Sequence, residues 1–285
     1  MRVGIAILPE LRWADARERW TRAEEYGFAH AWTYDHLAWR DLADGPWFDS
    51  VVTLTAAATA TTSIRLGTLV ASPNFRHPVH FAREVTALDD LSGGRLTLGL
   101  GAGAAAPAFD ALVLGQPDLS PRERVDRFGE FVELLDLLLR EQRVTWRGSY
   151  YEAVDARTTP GCVQAPRVPF LVAANGRRSM GLAARFGEGW ITMGGRAGDL
   201  ESWWESVAER ADRFEGSGDR YLMLDSAPRF SLSSRAFFEE QVGRAAELGF
   251  TDVITHWPRP SSWYAGDEAV LEEVAADVLP RLGAA

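Results

Sequence analysis

Short apolar runs alternate with longer amphipathic stretches eight times along the chain, and this rhythm restricts the fold more than any other feature. The apolar runs fall at residues 3–8, 29–33, 64–70, 96–100, 170–173, 190–193, 221–224 and 253–256. Helical periodicity follows each of them, near residues 14–26, 50–60, 79–91, 124–140, 179–186, 199–214, 234–248 and 268–282. Continuous apolar runs such as Thr97-Leu98-Gly99-Leu100 predict strands covered on both faces, which is the condition of a parallel sheet. Two open doubly wound domains would need a linker between the halves, and the chain offers none. The expectation is an α/β fold, a single (β/α)8 TIM barrel spanning residues 1–285 as one domain.

Punctuation residues agree. Ser120-Pro121 followed by Glu123 predicts a capped helix start with proline in the first turn. Gly27 and Gly249 each stand after a helix and before a strand, the position of a left-handed C′ glycine. One insert breaks the rhythm before the fifth strand: residues 144–154 predict a hairpin, and a proline-rich loop follows over residues 159–169.

Composition removes several classes of function. The net charge of −10 argues against a nucleic-acid or anionic-membrane surface. Cys162 is the one cysteine, so no intrachain disulfide or zinc cluster can form, and with no base nearby in sequence it reads as an ordinary small side chain. Every basic residue is arginine, which removes Schiff-base and P-loop lysines and leaves anion binding to arginine, backbone N–H groups and helix N-termini. The window 51–72 carries Arg65 and many threonines, so it makes a poor membrane span. The N-terminal run meets Pro9 and Glu10 too early for a secretory signal. A soluble, cytoplasmic protein is expected.

In a barrel, chemistry gathers in the loops after the strands. Tyr34-Asp35-His36-Leu37-Ala38-Trp39 follows the second strand: an acid that could orient an imidazole, and an indole that could exclude water. An exposed Asp–His pair capping the next helix is the plainer reading of the same residues. Pro73, Asn74 and Pro78 predict a rigid polar loop after the third strand. There His77 and His80 could face a metal, although helix capping suits a residue before proline better. Gly99, Gly101 and Gly103 after the fourth strand lack the remaining signs of a dinucleotide fingerprint. Ala173-Ala174-Asn175-Gly176-Arg177-Arg178 after the fifth strand leads into a helix and predicts an anion nest, the alternative being a solvated loop. Arg95 precedes the fourth strand at the barrel floor, where a buried pair with Asp89 or Asp90 is expected. Trp203 and Trp204 on the sixth helix read as packing or interface residues.

Taken together, Tyr34-Asp35-His36, the LGTLV run at 66–70, the stretch from Arg83 to Gly103 and the segment 171–190 resemble the luciferase-like monooxygenase superfamily, in its deazaflavin (F420) branch. The resemblance runs in order along most of the chain. It implies a barrel that binds F420, or alternatively FMN, at its C-terminal mouth. It implies a non-proline cis peptide at Leu69–Val70 behind the ring, with Ser72, Gly101 and Gly103 nearby. It further implies a phosphate loop from Ala173 through Ala174, Asn175 and Gly176 to Arg177. Asp35 and His36 would lie near ring and substrate, with Trp39 shielding one face of the ring. Some sugar-phosphate-oxidising relatives carry an acidic residue directly after the glycine motif. Ala104 stands there, and the apolar stretch 104–114 suggests a less polar substrate.

The expected activity is therefore hydride transfer between F420 and a small organic substrate, with His36 moving the proton and Asp35 orienting it. Alternatives are an FMN-dependent monooxygenase using O2 and a flavin-binding protein without turnover. A metal-dependent hydrolase is poorly served by five histidines and no lysine. A homodimer is expected by analogy.

Overall fold

The computed structural model describes residues 1–37, 39–103 and 109–282, and its chain runs as follows. The order is β1 (Arg2–Ala6), α1 (Trp13–Glu25), β2 (His30–Thr33), α2 (Ser50–Ala60), β3 (Arg65–Thr68), α3 (Pro78–Leu91) and β4 (Leu96–Leu100). It continues through α4 (Phe109–Val113), α5 (Pro121–Arg140), β5 (Arg143–Arg147), β6 (Glu152–Arg157), β7 (Phe170–Ala173), α6 (Arg177–Phe186) and β8 (Gly189–Thr192). The last elements are α7 (Leu200–Arg213), β9 (Asp219–Met223), α8 (Arg235–Glu247), β10 (Asp252–His256), α9 (Glu268–Asp277) and α10 (Leu279–Leu282). Eight of the strands close a parallel barrel in the order β1-β2-β3-β4-β7-β8-β9-β10, and β10 returns to β1 with Ala6 opposite His256. The remaining two, β5 and β6, form the expected antiparallel hairpin before the fifth barrel strand.

The predicted punctuation is present. Ser120 and Glu123 form a reciprocal capping box on α5, and Gly27 and Gly249 take φ of +83° and +78°. Most boundaries shift by a few residues, and two differ in kind. β3 ends at Thr68: the Leu69–Val70 peptide is cis, and the chain bulges out of the ladder before Ala71 bridges to Leu100. The last helix divides into α9 and α10 just before Pro280, which supplies no N–H for the preceding turn.

Arg95 does not pair with Asp89 or Asp90. Its guanidinium instead donates to the carbonyls of Ala58, Thr61, Ile64 and Ser92 at 2.7–3.2 Å, closing the end of α2. A fork of five N–H groups satisfies several orphan helix carbonyls at once, which a carboxylate pair would not. Asp89 accepts from Val163 N and Gln164 N on the proline-rich loop. Trp203 and Trp204 are buried and donate to Met193 O and Gln241 Oε1, so they pack inside the molecule.

One apolar layer fills the space between strands and helices, and a second fills the barrel, with Leu8, Trp32, Leu171, Ile191 and Ile254 among its members. The barrel floor is polar. Trp32 Nε1 donates to His30 Nδ1 at 2.6 Å, so that nitrogen is an acceptor. His30 Nε2 therefore carries the proton and donates to Asp252 at 3.0 Å. Burial lowers the His30 pKa below its ordinary 6.5 despite Asp252. Asp252 would rise through burial, but its bonds from His30 and Arg2 hold it below the ordinary carboxylate value.

Both shifts act in the same direction on stability. An unfolded chain takes up the His30 proton near pH 6.5 while the folded one does not, so stability falls as the pH drops below that value. Asp252 adds stability above its ordinary pKa that is lost as the pH falls through the lower folded value. Melting temperature measured against pH is expected to decline below about 6.5 and again in the carboxylate range. His30→Gln should shrink the first decline, leaving the part due to His77, while costing about 1–3 kcal/mol at pH 7.

Candidate active site at the barrel mouth

His36 follows β2 and remains partly open, with 17% of its side chain exposed. Its Nδ1 lies 3.0 Å from Asp110 Oδ2. The other Asp110 oxygen accepts from Leu37 N at 2.7 Å, and Asn74 Nδ2 stands 3.4 Å from Oδ2. Burial would raise the Asp110 pKa, but the bond from His36 and the neighbouring donors bring it below the ordinary value. An ionised carboxylate can only accept, so Nδ1 carries the proton and Nε2 is left as a lone-pair donor. Among the described residues no hydrogen bond engages Nε2.

Asp35 does not orient His36. It is buried, and its oxygens accept from Ser50 Oγ at 2.5 Å and from Arg76 Nη2 and Nε at 2.6 and 3.2 Å. Arg76 also reaches Asp49 and Glu84, each at 3.1 Å. The physical reason is strand geometry: successive side chains leaving a strand point to opposite sides, so adjacent Asp35 and His36 cannot both face the mouth. The partner of His36 comes instead from α4, 74 residues on. A lone carboxylate in the apolar stretch 104–114 was the available signal for Asp110. Residues 104–108, Ala104 included, lie outside the described residues, as does Ala38.

Trp39 is buried in an aromatic cluster rather than free at the mouth. It stacks on Trp47 and Tyr264 with centroids 6.5 and 6.3 Å away, meets Tyr34 edge-on, and carries the Arg40 guanidinium 4.6 Å above its ring. His77 caps α3 through its side chain, and His80 is mostly exposed beside Glu84. The described residues contain no group of three or more potential metal ligands.

The glycines after β4 serve the chain itself. A Cβ on Gly99 would meet Thr68 O at 1.9 Å, and one on Gly101 would meet Val70 Cγ2 at 2.6 Å. Gly103, at φ +81°, lies against Asn74. Their space is taken by the bulge at Leu69 and Val70 and by the loop that carries Ser72, whose buried hydroxyl accepts weakly from Asn74 N. These contacts fix the inner wall of the mouth.

The 173–177 segment opens α6. Ala174 is buried with its carbonyl bound by Trp190 Nε1, and Asn175 Oδ1 accepts from Thr192 Oγ1. Asn175, Gly176 and Arg177 are exposed, and the Gly176 N-cap has no side chain to occupy the first-turn amides. Arg178 is turned aside to Asp126. Ser179 Oγ takes the Gly176 amide, and a ten-residue helix whose N-cap has no side chain, with the exposed Arg177 at its first position, is a donor set suited to a phosphate.

Fold and site together define a parallel TIM-barrel protein with an oriented histidine and an anion-competent helix start at its C-terminal mouth. The chain belongs to the luciferase-like monooxygenase family, whose profile matches residues 1–269. It is 31% identical to an F420-dependent glucose-6-phosphate dehydrogenase of Beutenbergia cavernae, covering 92% of this chain and 91% of that one. It is 35% identical to the Intrasporangium calvum protein of the same name, covering 92% of each. Among solved structures, monooxygenase RslO1 from Streptomyces bottropensis superposes with a TM-score of 0.78 at 22% identity, over 99% of both chains. The coenzyme F420-dependent tetrahydromethanopterin reductase of Methanopyrus kandleri gives 0.75 at 19%, also over 99% of both chains. These two structures share the barrel fold.

The different partners of the two aspartates separate their variants. Asp110→Asn should lower turnover about 10²–10⁴-fold, as His36→Ala should, with little change in melting temperature. Asp35→Asn should instead destabilise the fold by about 1–3 kcal/mol, because it removes one of three carboxylates held by the buried Arg76. Denaturant unfolding and steady-state rates on the three variants check this. Equal stability loss at Asp110 and Asp35 would remove the distinction.

Proposed function

We propose that this protein is an F420-dependent oxidoreductase that moves a hydride between the deazaflavin and a small organic substrate bound at the barrel mouth. The observation that carries the reading is the His36–Asp110 pair, an imidazole held in one tautomer with Nε2 open at the exit of β2. The family membership and the F420-dependent relatives supply the cofactor. The donor set at the start of α6 fits its phosphate: Ala173, Ala174, Asn175, Gly176 and Arg177 would hold it there. The Leu69–Val70 bulge, Ser72, Gly101 and Gly103 would form the wall behind the ring. When bound, F420 supplies a two-electron hydride acceptor or donor.

The chain's own residues do the rest. His36 Nε2 takes or gives a proton, and Asp110 stabilises the imidazolium that results. Arg76 and Ser50 hold Asp35 beneath the loop and thereby fix where the backbone turns towards His36. The aromatic cluster of Tyr34, Trp39, Trp47 and Tyr264 excludes water from that side of the mouth. A small-molecule substrate, a homodimer and a cytoplasmic setting belong to the same reading. No described helix is long and apolar enough to cross a membrane.

Titration of the apoprotein with F420 and, in parallel, FMN tests the cofactor. Trp39 and Trp47 belong to the aromatic cluster beside the mouth, so a change in tryptophan fluorescence is expected on binding. F420 should bind at least about tenfold more tightly than FMN, a difference of about 1.4 kcal/mol. The reverse order would redirect the reading to oxygen-dependent monooxygenation, and binding of neither would reduce the resemblance to the fold.

A further inference from the structure

A second acid–imidazole set stands at the mouth, on the ends of β2, β9 and β10. His256 is the last residue of β10, and its Nδ1 lies 2.8 Å from Asp225 Oδ2. The same oxygen accepts from His256 N at 2.7 Å, and Asp225 Oδ1 accepts from Ser231 N at 2.8 Å. Tyr34 OH lies 2.8 Å from His256 Nε2 and 2.9 Å from Tyr264 OH. The Tyr264 ring stacks on the His256 ring with centroids 3.6 Å apart. The side chains of His256 and Asp225 have no exposure, Tyr34 is buried, and Tyr264 alone is half-buried.

The donors and acceptors leave two consistent arrangements. With Asp225 ionised, Nδ1 holds a proton. If His256 is neutral, Nε2 accepts from Tyr34, and Tyr34 in turn accepts from Tyr264. If His256 is protonated at both nitrogens, every bond in the row reverses without movement of a heavy atom. Burial pushes Tyr34 well above its ordinary value, and burial likewise pushes Tyr264 up to about 12, so both phenols stay protonated near neutrality. The charged and titratable groups around the row are Asp225, Arg40, Arg259 and His36, whose ring meets Tyr34 edge-on at 6.2 Å.

Tyr264 is also held in an unfavourable backbone conformation. Its φ is +60° and that of Ser262 is +63°, a region bulky residues rarely occupy. The loop is pinned there by Arg259, which donates to Ser261 O and Trp263 O and pairs with Glu10. Asp41 accepts from Trp263 Nε1 at 2.6 Å. Strain of this kind persists where the surroundings over-determine a position.

We propose that Tyr264 contacts the substrate oxygen, and that Tyr34, His256 and Asp225 form behind it a second proton path separate from His36–Asp110. The inference rests on the hydride-transfer reading above. Oxidation of an alcohol by a deazaflavin moves one proton at the substrate oxygen and one at the reduced ring, so two stations have two tasks. In that direction the substrate O–H bond breaks and its proton joins the Tyr264 oxygen. Tyr264 passes its own proton to Tyr34, and Tyr34 passes its own to His256 Nε2. F420, when bound, would accept the adjoining C–H hydride that leaves as the carbonyl forms, and Asp225 balances the new imidazolium. Reduction runs the same path backwards. Tyr264 is the catalytic residue of the set, and the other three are positioning residues.

The test begins on the apoprotein, where no cofactor is needed. Histidine 15N and tyrosine 13Cζ NMR should show His256 as the Nδ1–H tautomer with Nε2 hydrogen-bonded. Tyr34→Phe should shift the His256 Nε2 and Tyr264 Cζ signals together. A His256 Nε2–H tautomer, or signals that ignore Tyr34→Phe, would overturn the proposal.

Kinetics then uses F420 with cyclohexanol and glucose 6-phosphate as probe alcohols. Tyr264→Phe and Asp225→Asn should each lower kcat at least tenfold and displace the acid limb of the pH profile, with F420 affinity kept within about threefold. The double variant should be no slower than the slower single one. An unchanged kcat and pH profile in folded Tyr264→Phe would also overturn it. Failure of the unsubstituted protein to bind F420 would defeat the cofactor reading instead, and the NMR coupling would still decide the path. Should Asp225→Asn not fold, Tyr264→Phe removes one oxygen from a half-buried ring and carries the test alone.

Discussion

Closure of the parallel sheet governs where everything else can lie. With β10 paired to β1, each barrel strand has two neighbours, and its side chains alternate between the enclosed interior and the helical layer. The interior is packed, so nothing can bind along the axis, and the strand ends become the only places where polar side chains can converge. All eight strands run the same way, so those ends share one face. Tyr34, His36, Ser72, Gly101, Asn175, Asp225 and His256, spread over more than 220 residues of chain, meet there for that reason alone. The floor shows the complementary use of the same geometry: Arg2, His30 and Asp252 close the opposite end with charges bound to one another.

The barrel was legible because its signals are local. A covered strand needs a continuous apolar run and a helix needs apolar residues every three or four positions, and both patterns lie within a dozen residues. The capping box at Ser120 and the C′ glycines at 27 and 249 are equally local. The candidate site was legible only in part. His36 could be located, since it follows a recognisable strand, but its partner could not be assigned from adjacency. Asp35 and His36 are neighbours in sequence and diverge in space; His36 and Asp110 are distant in sequence and meet. Arg76 and Asp35, and Asp225 and His256, are joined across gaps of 41 and 31 residues, so spacing carried no trace of them. The glycine run has a structural cause that its spacing did not reveal: Thr68 and Val70 occupy the space that side chains at Gly99 and Gly101 would fill.

The absence of lysine gives these networks a common character. A guanidinium binds in a fixed plane and cannot be neutralised near physiological pH, so each buried arginine acts as a permanent template for carboxylates and carbonyls. Arg76 gathers Asp35, Asp49 and Glu84 around one centre, and Arg95 gathers the carbonyls at the end of α2. Neither guanidinium gives up its proton.

That property separates the carboxylates at the mouth into two kinds. Asp35 sits in a closed network: among the described residues its own oxygens meet only Arg76 and Ser50, neither of which takes up a proton, and its loss is felt as stability. Asp110 and Asp225 each sit behind an imidazole whose far nitrogen leads outward, one to an open position and the other through Tyr34 to Tyr264. A carboxylate in a closed network can only hold a shape, because a proton added to it has nowhere to go. A carboxylate behind a histidine changes the basicity of an atom it does not touch, which lets a buried charge act at the surface of a pocket. Adjacency in the sequence pointed to Asp35 as the partner of His36; what decides between the two aspartates is whether the hydrogen-bond path from each one ends inside the protein or at the mouth.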